Sequence, residues 1–107
     1  MKETEWKKFK ELRDLCLERF CSDVLEEVQK IGGSADLSAH ERYLSLYQLM
    51  HDKDKELGDA FDGLSRSKAD MQLMLMYKMG LVKESQLDEF EVETGDFIRN
   101  IVNRDNS

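Results

Sequence analysis

His51 and Asp54 stand three residues apart in a segment of helical periodicity, a spacing that brings an imidazole within reach of a carboxylate on one helix face. Tyr43, Leu46, Tyr47, Met50, Leu57, Phe61 and Leu64 form that segment's apolar stripe; if Met50 marks its middle, Asp54 lies only ~40° from it at 100° per residue, inside or at the edge of the packed face. Tyr47, His40 and Gly58 follow on the same flank. In such a setting His51 would serve as acid, base or ligand and Asp54 would orient it, with Tyr47, His40 and Arg13 completing a polar site. The plainer expectation for the same residues is a polar pair at the rim of a helix interface, or an ion pair from Asp54 to Arg13 across a bundle.

Metal chemistry is tested by spacing. Di-iron bundles place a glutamate three residues before a histidine on two helices; here Gln48 precedes His51 and Leu37 precedes His40, so the pattern is absent twice. Asp52, Asp54 and Glu56 begin like a calcium loop, but its sixth position is Leu57 and its twelfth Gly63, where glycine and a bidentate glutamate are needed. Cys16 and Cys21 diverge by ~140° on a helix and find no second pair for zinc. Gly32-Gly33 lacks the lysine of a phosphate loop, and no serine has a nucleophile-elbow setting. No metal and no cofactor is expected.

Two further groups point to surfaces rather than reactions. Glu84, Asp88, Glu89, Glu91, Glu93 and Asp96 are six acids in a stretch of 84–96 that holds no base. They would form an acidic patch for a basic partner, or a solvated face with acids gathered at helix N-termini. Residues 71–79 are apolar around almost the whole helix circumference. Such a helix must be wrapped by others or by a second copy of the chain. Met71, Met74, Leu75, Met76 and Met79 are therefore read either as core or as a homodimer interface in which two chains sandwich the methionine surface.

Bulk composition narrows the partners. Sixteen Lys and Arg against 23 Asp and Glu leave a net charge of −7, the wrong sign for nucleic acid or an anionic membrane. The apolar run 73–77 is far short of the ~20 residues a membrane span needs, and no signal or transit peptide is read at the N-terminus. A cytoplasmic protein is expected.

The elements that must position these residues follow from periodicity and punctuation. There is no proline in 107 residues. Helices are expected over 3–31, ended by a left-handed glycine at Gly32-Gly33; over 38–64, opened by a capping box of Ser38 and Glu41; over 67–79, capped by Ser65 or Ser67; and over 85–103, capped by Ser85, with a break near 92–95 where Gly95 interrupts. A break in the second would fall in the charged stretch 51–56. The polar tail 103–107 is expected to fray. The fold class is all-α: one domain over 1–107, a small bundle of four helices, or five if the last breaks, around a methionine-rich central helix. The function that fits is a small acidic protein–protein interaction or regulatory subunit, homodimeric and with no catalytic motif. The alternative is a ligand-binding or enzymatic bundle with its site at His51 and Asp54.

Overall fold

Phe9, Leu12, Cys16, Phe20 and Val24 recur at steps of three and four and are all buried along one face of α1, Glu3–Gly32. In the computed structural model, which describes residues 1–105, α1 is followed by α2 (Ala39–Phe61), α3 (Arg66–Lys78), α4 (Glu84–Leu87) and α5 (Val92–Asp105), with no strand among the described residues. The chain is an all-α bundle. Asn106 and Ser107 of the polar tail lie outside the described residues; Asn103 and Arg104, expected to fray, are helical.

The punctuation is partly as expected. Ser38 Oγ accepts from the Glu41 amide at 3.1 Å and Glu41 Oε1 accepts from the Ser38 amide at 3.0 Å, so the capping box at the start of α2 is complete. α2 runs unbroken through 51–56 and Gly58, then stops three residues before the expected end at 64 because Gly63 turns the chain at φ +69°. The stop of α1 is not left-handed: Gly33 has φ −94°. What it needs there is small size, since a Cβ would come within 3.1 Å of the Gln29 carbonyl oxygen. The left-handed terminator belongs to α3, where Gly80 at φ +77° lets Leu81 donate to Met76 O and Gly80 to Tyr77 O, both at 3.0 Å.

The last segment differs most from expectation. It breaks at 88–91, ahead of 92–95, into a single turn and a longer helix. Ser85 is not its cap; Lys83 holds that position, and its amide donates to Gln86 Oε1 at 3.0 Å. The physical reason for the break lies 86 residues upstream. Glu5, buried on α1, accepts from the Glu91 amide at 3.2 Å and from the Thr94 hydroxyl, so a side chain from another helix supplies the cap that lets α5 begin.

Arg42 near the start of α2 reaches Gly32 O at 2.9 Å, and Arg13 in the first half of α1 reaches Phe61 O at 2.6 Å, so the two long helices run antiparallel. α3 packs against α1, α2 and α5. Of the 23 residues of α2 only Ala60 and Phe61 are buried, so the core gathers at one end of the hairpin around Phe9, Phe61, Leu73, Met76, Leu87 and Ile98. Beyond Val24 on α1 and before Lys53 on α2 the hairpin projects as a two-helix arm, since Leu57 already packs on the core and Glu56 and Asp59 line a surface shared with Leu75 and Met79. The dimensions record this: 51 × 29 × 21 Å, with a radius of gyration of 16.5 Å, where a compact chain of ~100 residues has about 13 Å.

Candidate functional site

The five residues of the expected polar site do not converge. His40, Tyr47, His51 and Asp54 are all exposed on α2, and His40 and Asp54 are ~21 Å apart along its axis at 1.5 Å per residue. His51 stacks on Tyr47, ring centroids 6.2 Å apart and planes 14° from parallel, and makes no hydrogen bond to Asp54. Arg13 belongs elsewhere: it holds the Phe61 carbonyl and lies over the Phe61 ring at 5.9 Å. The ion pair from Arg13 to Asp54 does not form. Among the described residues no group of three or more His, Cys, Asp or Glu is arranged to hold a metal ion.

The methionine helix is covered to a large extent within one chain. Met76, Leu73 and Ala69 are wholly buried and Met74, Leu75 and Met79 are half-buried against the same core, whereas Met71 faces out. Gln72 spends the polar side of this face inside the protein, its amide donating to Asp62 O at 2.8 Å.

The acidic patch has a cation the stretch 84–96 did not contain. Arg99, three residues beyond it, pairs with Glu84 at 2.9 Å, with Asp88, and with Asp96 at 3.8 Å. Glu91 pairs with Lys2 at 2.9 Å. Glu84 is held below the ordinary carboxylate range by the Tyr77 hydroxyl and then by Arg99. Glu89 and Glu93 are also exposed on this surface; Lys2 and Arg99 offset two of its six negative charges, so it is weakened and stays acidic.

The surface that stands out is on the arm. Tyr43 is 66% exposed, Tyr47 65% and Leu25 59%, with Leu44 and Met50 beside them; half of the exposed large hydrophobic side chains among the described residues are here. On α2 the face toward α1 is Leu46, Leu49, Lys53 and Leu57, all half-buried. Tyr43, Tyr47 and Met50, which periodicity placed in the packed stripe, form a second apolar strip that one partner helix is too narrow to cover. Between this strip and α1 runs a groove of about 200 Å³ walled by Phe20, Cys21, Val24, Leu25, Met50 and Leu57, with Lys53 and Asp54 at its edge. Leu25 and Leu44 were not singled out by periodicity. One signal was available: residues 43–51 contain no Asp, Glu, Lys or Arg in a chain that is 36% charged. Depletion of charge with retention of tyrosine and methionine marks the centre of protein interfaces.

Both thiols are free. Cys16 is buried, its Sγ 3.4 Å from Leu81 O, and burial pushes its pKa up to about 11; Cys21 is half-buried at the groove wall. No helix of the described residues is long and apolar enough to cross a membrane. No family model, no curated protein and no solved structure matches the chain.

Proposed function

We propose that this protein is a small acidic helical interaction module, an adaptor or regulatory subunit, whose binding face is the two-helix arm. The observation that carries this reading is the arm's exposed, uncharged strip of Tyr43, Tyr47, Met50 and Leu25 around an apolar groove. Monomeric proteins seldom leave such contiguous apolar surface in water without a use for it. Aromatic side chains anchor interfaces because they bury large area at little entropic cost. A ligand or enzymatic site at His51 and Asp54 has less support, since both residues are open to solvent and only Asp54 touches the groove, at its edge.

The test is a photo-crosslinking amino acid placed at Tyr47, with Glu93 on the far body as the control position, in the cells that make the protein. A discrete adduct from position 47 and none from position 93 is expected. No adduct at 47, or the same adducts from both positions, removes the arm as a binding face.

A further inference from the structure

We infer that the occupant of the arm is the arm of a second copy, packed antiparallel about a two-fold axis so that the two hairpins close into a four-helix bundle. This rests on the reading of the arm as a binding face and adds the identity of what covers it.

The first argument is the distribution of charge. The α2 side of the face, 43–51, carries none, and the α1 side presents Cys21, Ser22, Leu25 and Gln29, also uncharged. Carboxylates collect at the inner end: Glu18 lies in phase with Cys21 and Leu25, and Asp54 in phase with Met50 and Tyr47, both exposed. At the outer end the residues in phase are Gln29 and His40, which can donate. A parallel pairing would set Glu18 and Asp54 of one copy against the same carboxylates of the other, a like-charge contact that costs energy. The antiparallel pairing sets them against Gln29 and His40 and leaves the uncharged centre to meet itself, as an isologous interface requires.

The second argument is size. The face covers about 16 residues of each helix, ~24 Å at 1.5 Å per residue, and two helices side by side are ~20 Å wide. That is roughly 500 Å² per copy and 1,000 Å² in total, at the threshold for a specific interface. A lone foreign helix laid in the groove would cover half that width and leave Tyr43 and Leu44 in water. A second hairpin covers both helices at once, and facing pairs of helices packed in this way make a four-helix bundle.

The experiment is sedimentation of the full chain over a dilution series from about 100 µM to about 0.1 µM, the range in which a minimal interface dissociates. Leu25→Glu with Tyr47→Glu is compared with Met71→Glu, a control on the exposed side of α3. The expected result is a mass of twice 12.5 kDa that halves on dilution, stays so in Met71→Glu, and is lost in the double variant with helicity and melting temperature retained. The affinity loss should be at least about 100-fold. Should the double variant fail to fold, maleimide labelling of Cys21 in the unmodified protein decides: its rate should fall as concentration rises, with buried Cys16 silent throughout. A monomer at every concentration overturns the inference, and so does a concentration-independent Cys21 rate. A dimer abolished by Met71→Glu but not by the double variant also overturns it, in favour of the methionine face. If the crosslink at position 47 joins a protein of different mass while sedimentation shows a monomer, the arm is a binding face and the second copy is excluded; if position 47 gives no adduct, the binding face itself has failed.

Discussion

Thr94 and Glu5 are 89 residues apart in the chain, yet the Thr94 hydroxyl lies 3.2 Å from both carboxylate oxygens of Glu5. The same carboxylate receives the Glu91 amide, so one side chain at the start of α1 satisfies the start of α5. Glu5→Ala removes an acceptor from two donors inside the protein and should cost about 1–3 kcal/mol, a fall in melting temperature of roughly 5–15 °C for a chain this size. Thr94→Val should cost less, and the double variant less than the sum of the two. Additive losses would mean that the two residues act separately.

Phe97 and Ile98 are neighbours with opposite surroundings: Phe97 is 57% exposed and Ile98 is fully buried. Ile98→Ala should destabilise by about 2–5 kcal/mol, as cavity-forming changes in a core do. Phe97→Ala should stay within about 0.5 kcal/mol, as exposed substitutions do. Denaturant titration of both variants measures this, and equal losses would place Phe97 in an interface.

Arg99 pairs with three carboxylates at once, Glu84, Asp88 and Asp96. Arg99→Met should leave these acids to repel one another, so that the variant gains melting temperature between about 0.01 M and about 1 M salt while the unmodified protein changes little or loses. A salt response identical in the two proteins would show that the cluster contributes nothing.

Stability should fall at both ends of the pH scale for different reasons. Burial raises the Cys16 thiol to about 11 from its ordinary 9.0, which means the unfolded chain releases that proton first. Its contribution is whole below pH 9.0 and is lost as pH rises toward about 11. Cys16→Ala should flatten the alkaline limb of a melting-temperature profile. On the acid side, Glu41 is held below its ordinary 4.5 by the Ser38 amide, and Glu84 by the Tyr77 hydroxyl and Arg99. Their contributions are present above pH 4.5 and disappear below it, so Glu41→Gln and Glu84→Gln should flatten the acid limb.

Periodicity placed α1 and the start of α2 within a residue, because a long apolar stripe and a capping box are local signals. It allowed for a break in the last segment but set it at 92–95 and not 88–91, because the device that separates α4 from α5 is Glu5, which no local window contains. It read Tyr43, Tyr47 and Met50 as core because the stripe tells which side chains prefer burial and not how wide the neighbouring helix is. The acidic stretch looked uncompensated because Arg99 lies one turn beyond it, where a helix and not the sequence makes it a neighbour. For the polar site, phase on α2 was legible, but nothing in the sequence says that α3 packs only at the far end of α2 and leaves His51 in water.

Arg13 from α1 and Gln72 from α3 grip two successive carbonyls, Phe61 O and Asp62 O, at the inner end of α2. Along the arm, α2 is tied only to α1. Mechanically it is a beam clamped at one end, so any sway is smallest at Phe61 and greatest at the tip near Ser38. The clamp sits in the core, between Phe20 and Arg13, with Phe61 touching both. A weight hung on the tip would therefore be borne by a ring that is almost wholly buried.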